Sequence, residues 1–195
     1  MNNANQHPPT LRYFDSHIEM LAFFTRQIDD QNGVAIEFGV YSGTTLEVIR
    51  QGFSGPVYGF DSFKGLPEDW RDGFPQGFFE TSEVPTIENV TLVVGTFQET
   101  LEPFLEKLIE PIAFIHFDAD LYSSTIFCLD KVTNFLAPES IFVFDEYHNY
   151  EGWQDHEHKA FTEWLNKNPC FSALAVGLVT GGNQEQKAFS INRMT

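Results

Sequence analysis

Two short apolar runs that each stop at a pair of acids constrain this chain more than any other feature. Ile112 to Phe117 ends in Asp118-Ala119-Asp120, and Ser140 to Phe144 ends in Asp145-Glu146. Each run reads as a buried strand. Burying a carboxylate is costly without a cation or strong donors nearby. As parallel neighbours the two strands would lie roughly 5 Å apart, so Asp118 and Asp145 could share one hard cation, with Glu146 completing the set. All-oxygen ligation without cysteine points to Mg²⁺, Mn²⁺ or Ca²⁺. The alternative is that these acids cap the following loops or hold an amino group.

The rest of the chain supplies a frame for those strand ends. Residues 1–10 are expected to be mobile, and 11–30 carry apolar residues at helical spacing, stopped by Asn32-Gly33. Strands are expected at 34–38, 57–60, 90–94, 112–117 and 140–144, alternating with helices at 44–51, 97–108, 122–136 and 153–166. Strands at 171–176 and 187–191, joined through Gly181-Gly182-Asn183, close the chain as an antiparallel hairpin. Such alternation predicts an α/β fold of Rossmann-like type, with a mostly parallel sheet and helices on both faces. No repeat or linker divides it, so 1–195 reads as one domain. In such sheets ligands bind at the carboxyl ends of the strands, where each polar cluster of this chain falls.

One of those clusters is the glycine turn Glu37-Phe-Gly39-Val-Tyr41-Ser42-Gly43-Thr44 between a strand and a helix. Glycine lets a ligand approach the backbone, and the helix start offers free N–H groups. The turn is neither GxGxxG nor GxxxxGK[ST], which counts against a pyrophosphate dinucleotide and a P-loop. Asp61 ends the next strand, where an acid can accept both hydroxyls of a ribose. Residues 62–88 form a long loop rich in aromatics, Gly and Pro. It is either a cover for the site or a connection packed down by its own aromatics.

Charge narrows the partners. Eleven Lys and Arg face 28 Asp and Glu, for a net charge of −17. That argues against nucleic acid and anionic membrane surfaces, which need a positive field. Cys128 and Cys170 form no CxxC pair, so a zinc or redox motif is not expected. There is no membrane-length apolar stretch and no signal-type core in Met1 to Pro9, so a cytoplasmic location is expected. A homodimer is compatible with the acidic surface.

Five strings, in order, carry a resemblance: Glu37-Phe-Gly39, Asp61-Ser62-Phe-Lys-Gly-Leu-Pro67, Gly95-Thr96-Phe97-Gln-Glu-Thr-Leu101, Asp118-Ala-Asp120-Leu-Tyr-Ser-Ser-Thr125 and Phe144-Asp-Glu-Tyr147. From about residue 34 to 165 the chain resembles the macrocin O-methyltransferase family, class I enzymes that use S-adenosylmethionine. The resemblance implies methylation of a hydroxyl on a small acceptor, a sugar or a phenol, with a divalent cation, usually Mg²⁺. It implies that the turn from Glu37 and Gly39 through Tyr41, Ser42, Gly43 and Thr44 holds the methionine part of the cofactor. Asp61 with Ser62 would bind the ribose, Thr96 and Phe97 would border the adenine, and Asp118 would border the cofactor as well as the metal. Asp118, Asp145 and Glu146 would bind metal, and Asp120 would be the general base. Family members often carry Asp-Asp where this chain has Asp145-Glu146. The chain is also shorter at its N-terminus than the antibiotic enzymes, so part of their substrate lid is expected to be missing.

Asp120 has a second reading, as the N-cap of the helix at Tyr122. His148 is an alternative base or a substrate contact. His116 reads as a packed core histidine, and His156 and His158 as a solvated helix face. Tyr147, Tyr150 and Trp153 read either as core or as walls of an acceptor pocket. Two other functions compete: a cofactor-binding module without turnover, and a nicotinamide-dependent oxidoreductase, against which the missing GxGxxG counts.

Overall fold

Every residue of Val34–Phe38 and of Ile112–Phe117 is buried, so the sheet built on them must carry helices on both faces. The computed structural model describes residues 10–28 and 33–194. In chain order its elements are β1 (Arg12–Phe14), α1 (His17–Gln27), β2 (Val34–Phe38), α2 (Thr44–Gly52), β3 (Val57–Asp61), β4 (Val90–Val94), α3 (Phe97–Leu105), β5 (Ile112–Phe117), α4 (Tyr122–Val132), β6 (Leu136–Phe144), α5 (Glu157–Lys167), β7 (Phe171–Val179) and β8 (Lys187–Arg193). The eight strands form one sheet in the order β1-β7-β8-β6-β5-β2-β3-β4. Only β8 runs antiparallel to its neighbours β6 and β7; every other pairing is parallel. The fold is the Rossmann-like α/β arrangement that the alternation of elements predicts.

Adjacent residues of β5 point to opposite faces, as a pleated strand requires. Ile115 and Phe117 join Phe38, Phe142, Phe144, Phe161 and Trp164 in one core cluster. Phe114 joins Leu21, Phe24, Leu46 and Ile49 in the other. The chain first runs outward through β2, β3 and β4, then returns to place β5 on the other side of β2. That reversal opens a crevice at the carboxyl ends of β2 and β5, and it sets Gly39 beside Asp118.

Several boundaries differ from expectation. Residues 12–14 form a strand beside β7, where 11–30 was expected to be all helix. Ser16 explains the start of α1: its hydroxyl accepts the Glu19 N–H at 3.2 Å, while Glu19 accepts the Asp15 N–H at 3.1 Å. Ser16→Ala is expected to remove about 1 kcal/mol, read as a melting temperature lower by roughly 2–4 °C. At its other end α1 stops at Gln27, with Ile28 already extended, short of the expected end at 30; the expected mobility of residues 1–9, and Asn32, lie outside the described residues. Helix α4 ends at Val132 and passes through a 3-10 turn, Thr133–Phe135, into a strand that starts at Leu136 rather than Ser140. Ile112 pairs with Leu136 but Phe114 with Ile141. Pro138 sits in the resulting bulge, a place in a strand where proline is tolerated. Helix α3 stops at Leu105, and 153–155 form a separate 3-10 turn ahead of α5. No helix among the described residues is long and apolar enough to cross a membrane.

Candidate active site

The glycine turn after β2 is held shut from two sides. Gly39 adopts φ +91°, and a Cβ built on it would lie 1.7 Å from the Asp118 carbonyl oxygen. Asp61 Oδ2 accepts the N–H groups of Val40 and Tyr41, each at 2.8 Å, and Oδ1 accepts that of Phe63 at 2.7 Å. Helix α2 then begins with no side-chain cap, which leaves its first N–H groups for solvent or a ligand. A cleft opens over this turn. Its walls include Gly39, Tyr41, Asp61, Ser62, Thr96, Phe97, Asp118 and Asp120. Glu37 is fully buried below it, and Ser42 Oγ lies 3.0 Å from Thr44 Oγ1; Glu37, Ser42, Gly43 and Thr44 are not among its wall residues.

The acids at the ends of β5 and β6 converge, though in a different grouping from the expected one. Ladder bonds carry past both strand ends, with Asp118 N–H donating to Phe38 and Asp145 N–H to Phe117, each at 2.9 Å. Carboxylate oxygens of Asp118, Asp120 and Glu146 all lie within 4.8 Å of one another. Asp145 turns instead toward His116, whose Nε2 is 3.8 Å from its Oδ1, an electrostatic contact rather than a hydrogen bond. The other ring nitrogen, Nδ1, is 2.8 Å from Glu37 Oε1. Glu37, His116 and Asp145 thus link three adjacent strands beneath the cleft.

Asp120 is buried with φ +58°. The N-cap position of α4 is Leu121, and no side chain caps the helix. The left-handed turn at Asp120 therefore leaves its carboxylate beside Asp118 rather than on the helix start. Burial, then the negative charge of Asp145, pushes the Asp120 carboxyl up to about 8, against the pull of Arg71. Burial and the neighbouring acids also raise Asp118 and Glu146 well above the usual carboxylate range. Asp145 behaves oppositely: burial alone would raise it, but His116 outweighs that and holds it low. Burial would likewise lower the His116 imidazole, yet Asp145 and Glu37 raise it well above 6.5.

His148 Nδ1 lies 2.8 Å from the Glu185 carbonyl oxygen, and His148 is not among the cleft walls. His156 and His158 are half-buried rather than solvated. His156 packs near Trp70 and Tyr150, and His158 against Tyr147 and Trp153. Tyr147 is core. The loop 62–88 is both packed and part of the wall: Leu66 and Trp70 form a small core with Leu121. Arg71 stacks over Trp70 at 4.0 Å and Tyr150 at 4.5 Å, while Gly65, Leu66, Pro67 and Phe79 line the cleft. Sequence reasoning missed Gln98 and Ser124 in the wall and Glu157, a fully buried acid behind Glu146. For Gln98 the adjacent Thr96-Phe97 was a usable signal.

The donor set suits a hard cation. It is all oxygen, and Glu146 Oε2 is buried with no hydrogen-bond partner among the described residues.

Residues 36–147 match a family model described as a methyltransferase domain. No curated protein matches the sequence. Solved structures with the same fold include the O-methyltransferase NovP, 19% identical over 90% of this chain and 79% of that one, with a TM-score of 0.67. The calicheamicin methyltransferase CalS11 is 24% identical over 89% and 76%, also at 0.67. An O-methyltransferase from Bacillus cereus, in complex with SAH, is 15% identical over 97% and 86%, at 0.65.

Proposed function

Since the chain belongs to the methyltransferase domain family, we propose that it moves the methyl group of S-adenosylmethionine to a hydroxyl oxygen of a small sugar or phenol, as a member of the macrocin O-methyltransferase type. The observation that carries this reading is the convergence of Glu146 with Asp118 and Asp120, the last two in the cleft wall beside Gly39. The turn from Gly39 to Gly43 takes the methionine part of the cofactor, and Thr96 and Phe97 border its adenine. A carboxylate has about four lone-pair positions. Asp61 already accepts three N–H groups, so it takes one ribose hydroxyl rather than two.

Asp118 and Glu146, with Asp120 alongside, hold a divalent cation such as Mg²⁺, and Asp145 stands behind them with His116. A cation held by these residues would supply Lewis acidity there, lowering the pKa of an acceptor hydroxyl. Asp120 removes the proton, as its place in the cleft wall beside Asp118 allows. The acceptor oxygen then forms a C–O bond as the methyl C–S bond breaks, and S-adenosylhomocysteine leaves. Alignment of oxygen, methyl and sulfur supplies much of the acceleration. Residues 62–88 wall the acceptor side, and the enzyme works in the cytoplasm.

Titration calorimetry with S-adenosylmethionine, run with and without Mg²⁺, tests the reading. Cofactor binding is expected in both series; an absence of heat in both would sink it.

A further inference from the structure

A carboxylate with no accessible surface needs a reason to be there, because burying it with one oxygen unpartnered is unfavourable. Glu157 is such a group. It opens α5, is 0% exposed, and its Oε2 accepts the backbone N–H of Glu146 at 3.1 Å. Its Oε1 has no partner among the described residues. Glu157 is not one of the three acids whose oxygens converge, so it stands behind the site rather than in it.

The bond falls on the backbone of the residue whose side chain matters most. Glu146 is the second residue after β6, beyond the last ladder bond from Asp145 N–H, so the sheet no longer fixes its main chain. Its side chain is one methylene longer than an aspartate's, with one more torsion to settle. It is only 8% exposed, and its own Oε2 is buried with no hydrogen-bond partner among the described residues, an independent sign that the acid group receives a ligand. The 3-10 turn Trp153–Asp155 returns the chain so that Glu157 meets Glu146 from below.

We propose that Glu157 is a positioning residue for the cation site: its carboxylate clamps the Glu146 amide and so aims the Glu146 side chain at Asp118 and Asp120. The proposal rests on the cation reading given above. What matters in it is reach, not charge. Two conservative variants separate these. Glu157→Asp keeps the charge but is one methylene too short to hold the amide. Glu157→Gln loses the charge but keeps an oxygen in place to accept the N–H.

The experiment is a Mn²⁺ titration of the full chain by calorimetry in the presence of S-adenosylhomocysteine. Affinity for S-adenosylhomocysteine alone serves as the folding control. Glu157→Asp is expected to weaken Mn²⁺ binding by about 10–100-fold, the usual effect of losing a group that orients a metal ligand. Glu157→Gln is expected to stay within about threefold of wild type, since the same orienting bond is kept. A weak Gln variant beside a normal Asp variant would mean that Glu157 acts through charge, and the proposal would be overturned. Two variants that both match wild type, or that are both equally weak, overturn it as well. If wild type itself binds no Mn²⁺, the cation reading fails and takes this one with it; if wild type binds and only the variant pattern is wrong, this inference alone is lost.

Discussion

Gly39→Ala is expected to cost roughly 2–5 kcal/mol of stability and to abolish S-adenosylhomocysteine binding in the protein that stays folded. Two effects add. A side chain at φ +91° costs about 1–2 kcal/mol for its left-handed backbone. The new methyl would also lie 1.7 Å from the Asp118 carbonyl oxygen, and overpacking of this kind costs about 1–3 kcal/mol. The clash is with main chain, so no rotamer change relieves it. The ends of β2 and β5 must part, and the Asp118 N–H to Phe38 bond goes with them. Asp61 would then lose its hold on Val40 and Tyr41, which shape the turn under the cleft. Gly43→Ala is the control: its φ is +82°, but the nearest atoms are side-chain carbons of Pro85 and Ile87 at 3.0 Å, which can shift. Thermal melts and calorimetry on both variants decide the matter. A Gly39→Ala protein with an unchanged melting temperature and normal affinity would show that the close approach has no role.

The sheet was legible because its central strands are buried on both faces. Near-continuous apolar runs such as Ile112 to Phe117, interrupted only by His116, have few readings other than central parallel strands, and the acids that follow mark their ends. What escaped was decided by tertiary contact. Residues 12–14 carry apolar positions compatible with a helix, yet the unpaired edge of β7 recruits them. Periodicity reports which side of a segment is buried, not which backbone form an open edge imposes. The ends of α3 and α4 slipped for a similar reason, since Leu108 and Phe135 lie past them and still pack on the same core.

The site divides along the same line. Residues next to glycine or at strand ends, such as Asp61, Thr96 and Asp118, were placed at the cleft by topology alone. Which acids converge was not, because the choice is made by side-chain torsions and by buried partners. His116 draws Asp145 away from the triad, and a left-handed φ brings Asp120 into it; neither is visible as spacing. Glu157 was hidden differently. In a string as polar as His156-Glu157-His158-Lys159 it reads as a solvated face, and only the packing of α5 against the β6 turn buries it.

Asp120→Asn is expected to lower methyl transfer by about 10²–10⁴-fold, the usual contribution of a positioned base, while making the metal-free protein more stable at pH 8. The pairing follows from the electrostatics. The Asp120 carboxyl titrates near 3.8 when the chain is unfolded and near 8 in the fold, so between those values the folded state holds the extra proton. Stability from this group is therefore complete below about pH 4, falls as pH rises toward 8, and is level above that. Asparagine is neutral at every pH and escapes the loss. In chelator the wild-type melting temperature should thus decline from pH 5 to 8, and the variant should decline less steeply. Asp118 and Glu146, both raised, keep part of the slope. Affinity for S-adenosylhomocysteine should be unchanged, which separates a lost base from a damaged cleft. Turnover is read as S-adenosylhomocysteine released with a panel of sugar and phenol acceptors, and stability by melts across pH. An active variant would move proton removal away from Asp120. A variant with the wild-type pH slope would mean that the folded carboxyl is already ionised near pH 4.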